Sequence, residues 1–165
     1  MEMNYLVLFL AALVPILIGF FWYGSLFGNV WMKEMNFTKA SLVGQNMVLT
    51  LILSYVFSFL LAFFLLFLVI HQMGVMQVLQ GEPGFEDQTG EAFTFFQNFL
   101  GTYGDRFRTF KHGALHGTMS GIFFVLPILS IVAMFERKSV KYIAINAGYW
   151  IVTLAIMGGI ICHWV

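Results

Sequence analysis

The stretch FKHGALHGTMSGIFF, residues 110–124, carries the pattern that decides how this chain packs. Glycine recurs at every fourth position, at Gly113, Gly117 and Gly121, so the three glycines share one face of an α-helix. Small residues at this interval let two helix backbones approach closely, which is how many membrane helices associate. The pattern predicts close packing of this helix through its glycines, either within the chain or between copies of it.

The composition is that of a membrane protein. Of the 165 residues, 60% are hydrophobic and only 10% are charged, and the mean hydropathy is +0.87. Soluble domains carry about 25% charged residues, so this chain could not cover its own surface in water. The net charge is zero, which gives no reason to expect a nucleic-acid partner. The single cysteine, Cys162, allows neither an internal disulfide nor a Cys-x-x-Cys redox motif.

Four apolar runs are long enough to cross a bilayer, which takes about 20 residues. They lie at about residues 5–23, 47–70, 113–134 and 142–161. We therefore expect an all-α, polytopic integral membrane protein, with its four transmembrane helices in a compact bundle that forms a single domain over residues 1–165.

Lysine and arginine are unevenly distributed between the two sides of these spans. One side carries five and the other carries three, and the side with the excess usually faces the cytoplasm. This rule places both termini outside. The five are Lys33, Lys39, Arg137, Lys138 and Lys141, and the three are Arg106, Arg108 and Lys111.

The long outer loop, residues 71–111, contains a second helical pattern. From about residue 91 to residue 110, aromatic and aliphatic residues recur on one helical face, and polar residues fall largely elsewhere. This spacing predicts an amphipathic helix, which could serve as an interfacial anchor or as a lid over a cavity. The apolar face consists of Phe96, Leu100, Tyr103, Phe107 and Phe110.

Polar side chains inside the spans are few. Asn146, Tyr149 and Thr153 lie on one face of the fourth span. This polar intramembrane stripe should face protein, because an unpaired amide in hydrocarbon is costly. It could form hydrogen bonds between helices or line a path for a substrate. No Asp, Glu, Lys or Arg lies within the four apolar cores, which argues against a proton- or ion-coupled transporter.

The four histidines all fall at one membrane face in this topology. His112 and His116 open the third span, His71 closes the second, and His163 nearly closes the fourth. Two histidines four residues apart share a helix face and can bind one metal together. The four residues are therefore candidate ligands for a divalent metal or a haem at the outer face. The alternative is that histidine simply occurs at headgroup depth, where it is common.

Two segments carry a family resemblance. GFFWYGSLFGNVWMKEM (residues 19–35) and FERKSVKYIAINAGYWIVTLAIMGGII (residues 135–161) resemble the bacterial family called domain of unknown function 1761. The shared features are a Trp-Tyr pair, a Phe-Gly followed by Trp, a Phe-Glu-Arg turn and an Asn-Ala-Gly-Tyr segment. The resemblance implies a small four-span protein of the bacterial cytoplasmic (inner) membrane, and it implies no activity.

Aromatic residues follow the first span at what should be the inner headgroup level. Trp22, Tyr23 and Trp31 are candidate interface anchors, because tryptophan and tyrosine favour the membrane–water boundary. The segment GSLFGNVWMKEMNF, residues 24–37, is compatible with a short helix lying in the membrane plane.

The motifs of several membrane enzymes are missing. The sequence contains no His-Glu-x-x-His, no Gly-x-Ser-x-Gly and no phosphate-binding loop. An enzyme is therefore the less favoured interpretation. Three hypotheses stay open: a non-catalytic bundle or helper subunit, a channel or transporter for a small or apolar solute, and a metal- or haem-binding membrane protein. The expected partners are membrane lipids, and a homo-oligomer is compatible with the glycine pattern.

Overall fold

The computed structural model describes residues 3–38 and 40–165, so Lys39 lies outside the described residues. Helices make up 78% of the structure, and the described residues contain no strand. Seven helices follow one another, together with one 3₁₀ turn at Ala40–Leu42. They are α1 (Leu6–Leu26), α2 (Gly28–Met35), α3 (Met47–Val69), α4 (His71–Leu79), α5 (Glu91–Tyr103), α6 (Phe110–Phe135) and α7 (Val140–Trp164).

Four of these helices, α1, α3, α6 and α7, are long and apolar enough to cross a membrane. The prediction of an all-α fold with four spans and a further helix in the long loop is thus confirmed. Three spans are longer than the apolar runs suggested: α1 extends to Leu26, α6 begins at Phe110, and α7 runs from Val140 to Trp164. Hydropathy detects only the apolar part of a helix, whereas its start is set by capping. The hydroxyls of Thr109 and Ser139 accept hydrogen bonds from the first turns of α6 and α7.

Two of the spans are irregular near a proline. The last turns of α1, Phe21–Leu26, and the middle of α6, Gly121–Val125, are π-helical. Pro15 and Pro127 lie in the same spans, where each removes one backbone donor. A π-helical turn changes the direction in which the side chains after it point.

The fourth span, α7, is the centre of the fold. It contacts each of the other three spans. In its most apolar stretch of 18 residues, 56% of the residues are buried, compared with 11% in the corresponding stretch of α6. A hydrophobic core fills the space between α1, α3 and α7. Its largest buried side chains include Leu8, Leu65, Leu66, Met157 and Ile161.

The glycine face of α6 lies against the backbone of α7. A Cβ atom added to Gly117 would overlap the carbonyl oxygen of Leu154, and one added to Gly121 would lie 2.7 Å from the Cα of Ile151. A Cβ atom added to Gly113 would likewise overlap the carbonyl oxygen of Gly158. The glycine face therefore packs within the chain, and the two backbones touch because the glycines have no side chains.

The loop helix α5 is shorter than the sequence pattern suggested. It ends at Tyr103, whereas the apolar spacing continues to about residue 110. The chain leaves the helix at Gly104, and Phe107 adopts a left-handed backbone with φ of 65°. A non-glycine residue at positive φ cannot continue a helix, so the periodicity of the last residues is coincidental.

At the opposite end of the molecule, the segment after α1 meets the turn between α6 and α7. The hydroxyl of Ser139 donates to the carboxylate of Glu34, and the Lys141 ammonium lies 3.9 Å from the same carboxylate. The structure thus places α2 beside the charged turn. The cytoplasmic location of this end stays a prediction from the lysine and arginine count.

The glycine contact generates the first prediction. Gly117→Ala should lower the melting temperature, because the added methyl group must push apart two backbones at a cost of about 1–3 kcal/mol. Gly101→Ala in α5 is the matched control, since a Cβ there meets nothing within 4 Å. Thermal unfolding of both variants in the same detergent is the measurement. Equal melting temperatures for Gly117→Ala and the parent would show that the α6–α7 contact is not as close as described.

Candidate metal centre

Three of the four histidines converge at one end of the spans. The nearest ring nitrogens of His71, His112 and His116 all lie within 4.8 Å of one another. The Nε2 atoms of His71 and His112 are 2.9 Å apart, a hydrogen-bond distance at which one of them carries the shared proton. The ring centroid of His116 is 4.6 Å from that of His112 and 5.0 Å from that of His71. We call these three residues the histidine cluster.

A break in the helix places His71 in the cluster. The helix α3 ends at Val69, and Ile70 has an extended backbone with φ of −107° and ψ of 95°. Ile70 is fully buried, so its side chain fixes the break in the core. The chain then restarts as α4 with His71 as its first residue, which turns the imidazole toward the beginning of α6.

The other two histidines are positioned by the first turns of α6. The Thr109 hydroxyl accepts a hydrogen bond of 3.2 Å from the His112 N–H, which fixes where the helix starts. The ring of Phe107 stacks on that of His112 at a centroid distance of 4.9 Å. His116 follows one turn later on the same face of the helix, as the four-residue spacing requires.

The segment before α6 is tied to the end of α7 by Arg108. Its Nε donates to the Cys162 carbonyl at 2.9 Å, and Nη2 donates to the Val165 carbonyl at 2.6 Å. Carbonyls in the last turn of a helix lack intrahelical donors, and a guanidinium supplies them. Arg108 therefore holds the loop against α7 and limits the movement of the residues that lead to His112.

A cavity of about 270 Å³ opens beside the cluster, and His71 forms part of its wall. Phe99 and Tyr103 of the loop helix α5 line the other side, together with Arg106 and Phe107. The helix α5 therefore contributes two side chains to the wall of the space beside His71. Its role as a lid or as an anchor stays a prediction.

Gln72 binds the end of α5 and the turn that follows it. Its Nε2 lies within hydrogen-bond distance of three carbonyls, those of Tyr103, Gly104 and Arg106, at 2.9–3.0 Å. The Oε1 of Gln72 is buried and has no partner among the described residues. A buried acceptor of this kind is normally satisfied by a protein group, water or a ligand. No sequence pattern pointed to Gln72, since a single glutamine between two spans belongs to no motif.

The fourth candidate ligand, His163, and the thiol of Cys162 lie apart from the cluster. His163 is exposed; its Nδ1 lies 3.4 Å from the Arg108 carbonyl, and its ring packs edge-on against Trp164. Cys162 is buried, and its thiol lies 3.3 Å from the carbonyls of Val69 and Phe107. Among the described residues, the converging ligand atoms are three imidazoles without a thiolate or a carboxylate.

The polar stripe of the fourth span contacts α1. Asn146 Oδ1 accepts a hydrogen bond of 2.9 Å from the Tyr23 hydroxyl, and the Tyr149 hydroxyl donates to the Pro15 carbonyl at 2.8 Å. Thr153 is fully buried, and its hydroxyl has no partner among the described residues. Two members of the stripe thus form hydrogen bonds between helices.

The aromatic residues assigned as interface anchors also contact α7 or one another. The indole of Trp22 donates to the Ile145 carbonyl at 3.0 Å, and Tyr23 donates to Asn146 as described. Trp31 packs edge-on against Tyr23 at a centroid distance of 5.4 Å. The polar atoms of Trp22 and Tyr23 therefore join two helices within the protein.

The comparisons with known proteins give a family and nothing finer. The model of a family described as "Protein of unknown function (DUF1761)" matches residues 6–162, which is nearly the whole chain. The resemblance noted from the two end segments is thereby confirmed. No curated protein and no solved structure matches the chain.

Proposed function

We propose that this chain, which belongs to the DUF1761 family, is an integral membrane protein that binds one divalent transition-metal ion at the histidine cluster. The observation that carries this proposal is the convergence of His71, His112 and His116 from two different helices. His71 and His112 are 41 positions apart in the sequence, so the fold brings them together and not the spacing of residues along one helix.

The donor set suits zinc and its neighbours among the transition metals. Neutral imidazole nitrogen is a common ligand of Zn²⁺, Cu²⁺, Fe²⁺ and Ni²⁺, whereas Mg²⁺ and Ca²⁺ prefer oxygen. In a tetrahedral zinc site with Zn–N distances of about 2.0–2.1 Å, the nitrogens lie about 3.3–3.4 Å apart. The Nε2 atoms of His71 and His112 are 2.9 Å apart, and the ligand atoms of all three residues lie within 4.8 Å of one another, so side-chain rotations would bring them to this spacing.

A single ion fits this arrangement better than a haem does. A haem needs a flat slot between its axial ligands, whereas these three imidazoles point at one another. Three protein ligands also leave a fourth coordination position, as in zinc sites that bind water or a substrate. The neighbouring cavity, which Gln72 and Arg106 line together with His71, would accommodate such a fourth ligand.

The proposed location follows from the charge distribution. We place the chain in the bacterial cytoplasmic membrane, with the turn that contains Arg137 and Lys138 in the cytoplasm. The histidine cluster then faces the outside, together with both termini. Four apolar helices support a membrane location, and the lysine and arginine count supports the orientation.

Metal binding is tested with protein purified through a tag without histidines and stripped with a chelator. Titration with Zn²⁺ should give about one bound ion per chain. Replacing two of three ligands, as in His112→Ala/His116→Ala, should abolish binding, and His71→Ala should weaken it strongly. His163→Ala is the matched control and should bind like the parent, because His163 lies outside the cluster. Binding should also weaken in acid, since protons compete for the imidazoles.

Two outcomes of this titration would contradict the proposal. Absence of stoichiometric binding by the parent would remove the site altogether. Equal loss of binding in His163→Ala and in His112→Ala/His116→Ala would mean that the metal is held elsewhere or at the surface.

The orientation has a separate test in labelling with a membrane-impermeant thiol reagent. Glu86 and Glu136 are both exposed and lie in loops at opposite ends of the spans. Intact cells should label Glu86→Cys and not Glu136→Cys, while the parent, with its buried Cys162, reports the background. The opposite labelling pattern would place the histidine cluster in the cytoplasm without affecting the metal site.

A further inference from the structure

A second and larger cavity, of about 810 Å³, lies between α1 and α3 in the other half of the molecule. It extends along α3 from Met47 to Leu61, and Tyr149 and Trp150 of α7 also line it. His71 lies beyond the opposite end of α3, so this cavity is separate from the proposed metal site. Its volume falls within the range of about 300–1,000 Å³ that is usual for small-molecule sites.

Two serines in the cavity wall lack hydrogen-bond partners. Ser58 is 3% exposed and lines the cavity, as does Ser54 one turn earlier. Neither hydroxyl has a hydrogen-bond partner in the described part of the chain. Several other span hydroxyls donate to the carbonyl four residues before them, including Thr50 to Asn46 at 3.1 Å and Ser130 to Leu126 at 2.7 Å. Ser54 and Ser58 do not form this local bond, and an unpaired hydroxyl in hydrocarbon is unfavourable.

The tyrosine hydroxyls in the cavity wall already have hydrogen-bond partners. Tyr23 donates to Asn146 and Tyr149 donates to Pro15, so both are occupied within the protein. The two serine hydroxyls therefore remain as donors for a ligand, beside the indole N–H groups of Trp31 and Trp150, which also line the cavity.

The rest of the lining is aromatic and uncharged. Phe20, Tyr23, Trp31, Phe57 and Trp150 contribute rings to the walls, and no Asp, Glu, Lys or Arg lines the cavity among the described residues. Aromatic walls favour a flat ring, which can pack against them face-on or edge-on. The absence of charge favours a neutral ligand, and the position between spans favours one that dissolves in the membrane.

We propose that this cavity binds a neutral, membrane-soluble ring compound whose carbonyl oxygens accept hydrogen bonds from Ser54 and Ser58. A lipid acyl chain would fill the apolar part but would leave both hydroxyls unpaired. The apolar side chains on a span of a second copy would likewise offer no acceptors to the two serine hydroxyls. A short-chain benzoquinone has the required ring, acceptors and apolar tail, and it is the probe for the test.

The test measures thermal unfolding of the detergent-purified chain with increasing decylubiquinone, because a ligand that binds the folded state raises the melting temperature. Decylbenzene, which has the ring and tail without the carbonyls, is the matched probe. The parent and His112→Ala/His116→Ala should both show a saturable rise with decylubiquinone and a much smaller rise with decylbenzene. This result would hold even if the metal site does not exist.

The serines are tested by Ser54→Ala/Ser58→Ala, with Ser130→Ala as the matched control. Loss of two hydrogen bonds should weaken decylubiquinone binding about tenfold, whereas the control should bind like the parent. If the double variant does not fold, each single variant gives the same comparison. The proposal is overturned if decylbenzene stabilises as well as decylubiquinone does, if no saturable rise occurs in the parent, or if the serine variants bind unchanged.

Discussion

Direct contact between the backbones of α6 and α7 is the constraint on which the rest of the structure depends. Gly113, Gly117 and Gly121 leave no side chain on that face, so backbone atoms of α7 occupy the space where Cβ atoms would stand. Membrane helices gain little from burying apolar surface against each other, and close backbone packing is one of the few interactions that fixes two of them in register. Because α7 also contacts α1 and α3, fixing α6 on α7 fixes the start of α6 relative to the whole core.

The proposed metal site uses this rigid start. His112 and His116 come from the first turns of α6, and His71 comes from the restart of the chain after Ile70, whose fully buried side chain belongs to the core shared with α7. The three imidazoles are thus carried by elements that meet at one central helix, with Arg108 closing the loop against the end of that helix. A site supported in this way is preorganised, so little conformational entropy is lost when an ion binds.

The sequence predicted most of the fold and part of the candidate site. Long apolar runs indicate spans reliably, because every backbone polar group in a bilayer must be bonded within a helix. The end of α5 at Tyr103 could not be read from the pattern, since the turn depends on the left-handed backbone of Phe107. All four histidines could be assigned to one membrane face, but the exclusion of His163 and the partner-free oxygen of Gln72 depend on side-chain directions that periodicity does not encode.

In the proposed site, three imidazoles from two helices hold one metal ion and leave one coordination position open. X-ray absorption spectroscopy at the zinc edge of the Zn²⁺-loaded chain tests it most directly, because the fine structure identifies the ligand type and distance. The expected result is a four-coordinate ion with about three imidazole nitrogens at about 2.0–2.1 Å and one further light atom. A sulfur neighbour, which would have to come from Cys162 or a methionine, or a shell of six oxygens without imidazole scattering would contradict it.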